Sequence, residues 1–439
     1  MNTAAQPPAG AKVRCLACGE VFDASISVCP VCGASGEWLA PYVPETNAFR
    51  RESEEIFLIV GGGIAAVSAA AAIRERNRLC SIVLFSEEAV LPYNRPMLTK
   101  AMFDSLAEEA LAIHPRSWYE EHGIYLMLSK RVVSLLPEER ELVTDDGAHF
   151  HYDKCILATG ASCFIPPIEG TGLAGVVAIR SVTDAAAAAR RAEAGQNAVV
   201  IGGGVLGLEA AWALKKAGCH VTVLENSPRL MMRNLDAAAS ALLQAAVEES
   251  GVAVVYSAQT DKINGTETVE SVALRDGTVL PADLVVVSCG VRANTALAQS
   301  AGIETGRAVV VDEHMETNLR GVYACGDCAE FRGVNRAVWP VAAEMGACAG
   351  ANAAGEAAVY AEHPVPFTFS GMGTAVFTSG AVSGADGSQT AEFTDPQTKT
   401  MKKYFFRDGK LSGFTLIGDV SAAAGLSAQL GKPLAWDEI

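Results

Sequence analysis

IFLIVGGGIAAVSAAAAI, residues 56–73, runs for eighteen positions without a charge, close to the length of a bilayer-spanning helix. Its interior argues for something else. A short apolar run rich in Ile and Val stops at three consecutive glycines, Gly61 to Gly63. That is the pattern of a buried strand turning into a helix. The same object recurs in NAVVIGGGVLGLEAAWALKKAG, residues 197–218. Each copy is followed by a second apolar strand, CSIVLFSEE at 80–88 and HVTVLENS at 220–227. Two strand–turn–helix–strand beginnings about 140 residues apart predict two dinucleotide-binding domains.

The spacing within each turn has a physical logic. GGGIAA places GxGxxA on Gly61, Gly63 and Ala66, and GGGVLG places GxGxxG on Gly202, Gly204 and Gly207. The first glycine permits a tight turn. The second lets backbone approach a pyrophosphate seated on the helix N-terminus. The third small residue lets helix and strand pack closely. An acid ending the second strand normally holds the ribose hydroxyls. In the second domain this is Glu225, whose carboxylate accepts from a 2′-hydroxyl and repels a 2′-phosphate, so NADH is expected over NADPH. Arg229 and Arg233 stand nearby and oppose that preference. In the first domain the aligned position is Ser86, with Glu87 and Glu88 next, and Glu87 is expected to take the role.

The chain has 439 residues, is half hydrophobic, contains 41 glycines and carries a net charge of −16. That length allows about two to four domains with buried cores. The composition is that of a globular α/β protein. An acidic surface repels phosphate backbones and anionic lipid, so neither nucleic acid nor a membrane is an expected partner. A protein with a basic patch suits it better. MNTAAQPPAGAKV at the start shows no charged region leading into an apolar core, so a cytoplasmic location is expected. Of twelve cysteines, eight (Cys80, Cys155, Cys163, Cys219, Cys289, Cys325, Cys328 and Cys348) are scattered and read as buried thiols rather than disulfides.

Further motifs follow in a set order: YNRPMLTK at 93–100, CILATGA at 155–161, the second GxGxxG, and VYACGDCAE at 322–330. Together with the early GxGxxA they resemble the FAD-dependent pyridine-nucleotide oxidoreductases of the two-dinucleotide-domain type. The likeness extends over about residues 55–439, and is nearest to NADH:rubredoxin oxidoreductase and the flavin part of NADH-dependent nitrite reductase. The resemblance implies an α/β architecture of two Rossmann-like domains, for FAD and NAD, with a small C-terminal α+β domain. The expected boundaries are 55–175 with 291–340 for the FAD domain, 176–290 for the NAD(P) domain and 341–439 for the C-terminal domain. KTMKKYFFRDGKLSGFTLIGD, residues 399–419, reads as a β-hairpin turning at Asp408 and Gly409.

The resemblance also implies roles. FAD lies in the first domain with Asp327 on its ribitol, and Arg95 and Lys100 lie along the flavin. Ala158, Thr159 and Gly160 mark the crossing between domains, and Gly290 belongs to the return. Lys100 and Glu209 match a lysine near flavin N5 and its glutamate partner. A cation there stabilises the anionic reduced flavin, and the glutamate holds the lysine. One departure matters. The disulfide-reducing branch carries a redox CxxxxC or a reactive cysteine early in the FAD domain, whereas between Gly61 and Cys155 this chain has only Cys80. Reduced flavin therefore has no thiol beside it. Cys325 and Cys328 flank Asp327 and read as packing residues.

The four remaining cysteines stand in CLACGEVFDASISVCPVCG, residues 15–33, as two CxxC pairs. Cys15, Cys18, Cys29 and Cys32 form a thiolate set for one tetrahedral metal. So small a module depends on the metal to fold. The module is expected over 1–45 and a linker over 46–54. Residues 41–55 span at most about 50 Å extended, enough to reach a neighbouring active site. An aromatic after the second cysteine and Trp38 after the fourth resemble rubredoxin, which implies iron, although zinc accepts the same geometry. The combined expectation is transfer from NADH through FAD to this iron and on to an acceptor protein such as rubredoxin or an oxygen- or peroxide-detoxifying protein. Related enzymes often form a homodimer through the C-terminal domain. Two alternatives stand beside it: a reductase whose module is a structural zinc ribbon for partner docking, and a sensor that only binds both dinucleotides.

Overall fold

The computed structural model of the chain describes residues 12–15, 21–27, 29, 38–42, 49–382 and 388–434. The opening stretch is a strand, Ile56–Val60, followed by a helix, Ile64–Arg76. No helix among the described residues is long and apolar enough to cross a membrane. Ile56–Val60 lies at the centre of a five-stranded sheet ordered Val322–Ala324, Lys154–Leu157, Ile56–Val60, Ser81–Phe85, Ile124–Met127, with every neighbour parallel. A second parallel sheet has the order Val176–Val177, Leu284–Val287, Asn197–Ile201, His220–Glu225, Ala253–Tyr256. Strands buried on both faces need apolar side chains at every position, which is why they read as unbroken runs rather than alternation.

The two units share more than their first turns. Each sends out a three-stranded antiparallel meander before its return strand. One comprises Val132–Leu136, Glu141–Thr144 and His149–His151, the other Thr260–Gly265, Val269–Leu274 and Val279–Pro281. The last strand of the first sheet, Val322–Ala324, comes after the whole second sheet in sequence. The two crossings run side by side as an antiparallel ribbon, Ala161–Cys163 against Val291–Ala293. The helix Trp339–Ala353 then closes the first unit against Ile64–Arg76. A Cβ at Gly346 or Gly350 would lie 2.2 or 2.3 Å from the carbonyl oxygen of Ala65 or Ala69, so this close crossing requires glycine.

A five-stranded antiparallel sheet follows, ordered Phe367–Gly371, Thr374–Gly380, Lys410–Ile417, Thr400–Arg407, Gln389–Asp395. Its central hairpin turns at Asp408 and Gly409, both at positive φ, +52° and +71°, as a type I′ turn needs. Successive side chains on a strand point to opposite faces. Val376, Met401 and Ile417 pack into the second unit's core with Leu208, Leu214 and Leu243. Phe377, Tyr404, Phe414 and Leu416 pack with Cys15, Cys29 and Trp38.

The amino-terminal residues form a three-stranded antiparallel sheet, Val21–Asp23, Lys12–Cys15, Leu39–Tyr42. Trp38 anchors it. Its ring centroid lies 4.8 Å from that of Phe377, its Nε1 donates to the Val420 carbonyl at 3.4 Å, and it is 2% exposed. The linker is long enough for a roaming module, yet the structure seats this segment on the outer face of the C-terminal sheet. The physical reason is the row of aromatic side chains there, which would otherwise face water.

Candidate functional site

Both glycine turns lie where the central strand of each sheet ends. Gly61 and Gly202 have φ of +136° and +114°, and a Cβ on either would lie 2.0 Å from the Ala158 oxygen or 2.2 Å from the Ser288 oxygen. At the third position a Cβ on Gly207 would meet the Gly202 oxygen at 1.9 Å, while the first turn carries Ala66, fully buried. The middle glycines differ from both. Around a Cβ at Gly63 or Gly204 there is nothing within 4 Å. These two residues are the N-caps of Ile64–Arg76 and Val205–Lys216, and no side chain caps either helix. Open space over uncapped helix amides suits a diphosphate.

Glu225 sits at the lip of the second turn. Its Oε2 accepts from the Gly203 amide at 2.9 Å and its Oε1 from the Ser227 amide at 2.7 Å. Strand register makes Ser86 its counterpart, because Leu224 pairs with Ile201 as Phe85 pairs with Val60. Ser86 is buried and Glu87 exposed. Glu88 is the acid engaged inside the first unit, accepting from Tyr93 Oη at 2.7 Å and Arg95 Nη2 at 2.5 Å. Arg229 is tied to its own loop, donating to the Leu235 carbonyl at 3.0 Å.

Arg95 sits at the centre of a cross-unit network. Its guanidinium lies 4.8 Å from the Tyr93 ring centroid, and its Nη1 donates to Tyr93 Oη at 2.8 Å and to the Arg180 carbonyl at 2.9 Å. Burial pushes the Tyr93 phenol well above its ordinary range, so it stays protonated and donates to Glu88. Arg180 in turn reaches Asp327, Nη2 to Oδ2 at 2.7 Å. Arg180 is missing from the motif-based set. The readable signal was the capping box of Ser181 and Asp184, which puts Arg180 just ahead of the helix Val182–Arg191.

Lys100 and Glu209 come together across the two units, Nζ to Oε1 at 3.5 Å, with the Glu209 side chain 9% exposed. The segment carrying Lys100 belongs to the first unit by sequence. Its Tyr93, Leu98 and Met102 nevertheless bury themselves with Leu208 and Ala211 of the second unit. That packing brings Thr99 as well, whose Oγ1 donates to Glu209 Oε2 at 2.7 Å. At the crossing, Thr159 Oγ1 donates to the Asn294 carbonyl at 2.8 Å, and Asn294 Nδ2 returns a bond of 2.8 Å to the Thr159 carbonyl. The Asn294 amide donates to the Gly160 carbonyl, and the Phe164 amide to the Gly290 carbonyl, at 2.9 and 2.8 Å. Ala158, Thr159, Gly160 and Gly290 therefore lie at the ends of the crossing ribbon.

The cysteines near Asp327 are packing groups. Cys325 and Cys328 have no exposed surface. The Cys328 thiol donates to the Leu157 carbonyl at 3.3 Å. Burial pushes both thiols up, and Cys80 as well, the opposite of what a nucleophilic thiolate needs. Among the described residues no group of three or more His, Cys, Asp or Glu side chains converges on a common point. Cys15 and Cys29 are buried in one apolar cluster. Cys18 and Cys32 lie outside the described residues.

Residues 57–346 match the family described as pyridine nucleotide-disulphide oxidoreductase. The chain is 32% identical over 364 residues to the assimilatory nitrate reductase electron transfer subunit of Bacillus subtilis, covering 82% of this chain and 47% of that protein. It is 39% identical over 277 residues to the rubredoxin-NAD(+) reductase of Pseudomonas putida, covering 63% of this chain and 72% of that one. The crystal structure of a ferredoxin reductase from Rhodopseudomonas palustris, 28% identical, superposes with a TM-score of 0.78 over 84% of this chain and 92% of that chain. The chain thus spans about half the length of the Bacillus subtilis relative.

Proposed function

The chain belongs to the pyridine nucleotide-disulphide oxidoreductase family, and from that membership we propose that it is an NADH-dependent FAD oxidoreductase that passes electrons to a small electron-carrier protein. The observation that carries this reading is the pair of open, uncapped glycine turns joined by the Lys100–Glu209 ion pair between the two units. Bound FAD would supply the conversion of a two-electron hydride donor into a one-electron donor.

The residues divide the remaining work. The amides after Gly63 would hold the FAD diphosphate, and those after Gly204 that of NADH. Asp327, braced by Arg180, would accept from the ribitol hydroxyls. Glu225 is held by two backbone amides, accepts from a ribose 2′-hydroxyl and repels a 2′-phosphate. Lys100, held by Glu209, would supply a positive charge to stabilise the reduced cofactor. Buried Cys80, Cys325 and Cys328 support electron transfer over thiol chemistry. The carrier partner is supported by relatives named for reducing rubredoxin and ferredoxin.

Cys15, Cys18, Cys29 and Cys32 would hold one iron as a further electron site, in a chain working in the reducing cytoplasm. One observation favours the second reading, a zinc ribbon used for docking. Trp38 fixes the segment to the outer face of the C-terminal sheet, with that sheet between it and the helix bearing Glu209. An anaerobic visible spectrum of protein made in iron-rich medium, before and after NADH, tests both. Bleaching of flavin and ferric-thiolate bands together supports the relay, and Cys29→Ser should then spare the flavin bleaching while abolishing the iron signal. Flavin bleaching alone, with zinc by metal analysis, supports docking. A protein that binds FAD but is not bleached by NADH overturns the oxidoreductase reading.

A further inference from the structure

Glu209 presents two carboxylate oxygens to the first unit, and the two are held differently. Oε1 faces the Lys100 ammonium at 3.5 Å, and the Lys100 side chain is 28% exposed. That distance is longer than a direct charge-assisted N–H···O bond, usually about 2.7–2.9 Å, and the lysine side chain is partly open to solvent. Coulomb attraction at that range draws the groups together without fixing the plane of the carboxylate. Oε2 accepts from Thr99 Oγ1 at 2.7 Å, the ordinary length of a good O–H···O bond. Thr99 is 4% exposed. Its β-branched side chain has few rotamers to choose from, and its neighbours Leu98 and Met102 are locked into the second unit's core. The directional contact is therefore the one from the Thr99 hydroxyl.

We propose that Thr99 is the positioning residue of the Lys100–Glu209 pair: its hydroxyl orients the Glu209 carboxylate, and the carboxylate so oriented sets where the Lys100 ammonium stands. The bond joins residues 110 positions apart, so it also fixes the helix Val205–Lys216 against the segment that follows Arg95–Met97. This rests on the reading of Lys100 and Glu209 as the pair beside the cofactor. Thr99 is itself buried and acts through Glu209. Removing its hydroxyl leaves both glycine turns and Glu225 intact, so NADH affinity is preserved while the step that depends on the ammonium's position suffers.

The test uses the FAD-loaded full chain as wild type, Thr99→Val, Thr99→Ala and Thr99→Ser. Three quantities are read anaerobically: the limiting rate of flavin bleaching by NADH, the Kd for NADH, and the midpoint potential of the bound FAD. Loss of a hydroxyl bond to a buried carboxylate should slow the limiting rate about tenfold in Thr99→Val. The Kd should hold within about twofold, the potential should move to more negative values, and Thr99→Ser should restore rate and potential together. If Thr99→Val does not fold, Thr99→Ala gives the same readings without the branched methyl. Wild-type rate and potential in either hydroxyl-free variant overturns the proposal, as does a Thr99→Ser protein as slow as Thr99→Val. Failure of the wild type itself to be bleached removes the underlying reading instead, which separates the two failures.

Discussion

Glu225 does two jobs with one carboxylate. It braces the turn through the Gly203 and Ser227 amides and offers its charge to a ribose. Glu225→Gln keeps the size but loses the charge and, because its NH2 cannot accept, one of the two backbone amide bonds. We expect kcat/KM for NADH to fall about tenfold, the worth of one bond to a charged acceptor, and the NADH-to-NADPH ratio to fall with it. An unchanged ratio would leave Glu225 a brace only. His114 makes a different kind of prediction. It stacks on Trp118 at 4.0 Å, and Trp118 on His122 at 4.3 Å. Burial, with His122 adding to it, pushes His114 down to about 4 from its ordinary 6.5. The unfolded chain takes its proton near 6.5 and the folded one only near 4, so stability is lost as pH falls through that window. Melting curves from pH 7 to 4.5 should show a smaller decline for His114→Gln than for wild type; parallel declines would refute the assignment. Residues of this kind are legible in a sequence only in part. The spacing of four puts His114, Trp118 and His122 on one face of a helical turn, but the burial that lowers His114 comes from packing that the sequence does not show.

At the scale of elements the two glycine turns invite comparison. They share register, helix and uncapped N-terminus, yet the third position is Ala66 in one and Gly207 in the other. A Cβ at Gly207 would sit 1.9 Å from the Gly202 oxygen, so the second helix lies closer to its own turn. Gly207→Ala should therefore force that helix outward, at about 1–3 kcal/mol for overpacking. It should weaken NADH binding while FAD stays bound, checked by NADH titration against the retained flavin spectrum. Loss of the flavin as well would show that the two turns do not act separately. Elements of this kind were legible because their rules are local: a glycine at positive φ, an apolar run of strand length, an Asp-Gly hairpin turn. The acid at the first turn was less so. Ser86 holds the register position there and Glu88 is engaged by Tyr93 and Arg95, which leaves the exposed Glu87 as the proposed ribose acid.

At the scale of the whole molecule, the C-terminal sheet is a shared wall. One face joins the second unit's core and the other covers the amino-terminal segment. Trp38→Ala removes the side chain that closes the outer face. Loss of a buried Trp costs about 3–5 kcal/mol, more than a small antiparallel sheet can spare. The segment should come loose, dye binding to exposed aromatic surface should rise, and NADH bleaching of the flavin should be unchanged; unaltered dye binding would mean Trp38 is not the anchor. The sequence alone determined what local chemistry can write, two glycine turns between strand and helix and the hairpin at Asp408 and Gly409, while Lys100 and Glu209 were candidate partners only through resemblance to a family. Tertiary structure alone decided the contacts between distant segments. Arg180 reaches Asp327, Thr99 shares Glu209 with Lys100, and Trp38 settles on Phe377. Each depends on which apolar faces must be buried together, and no spacing within a single stretch of chain encodes that.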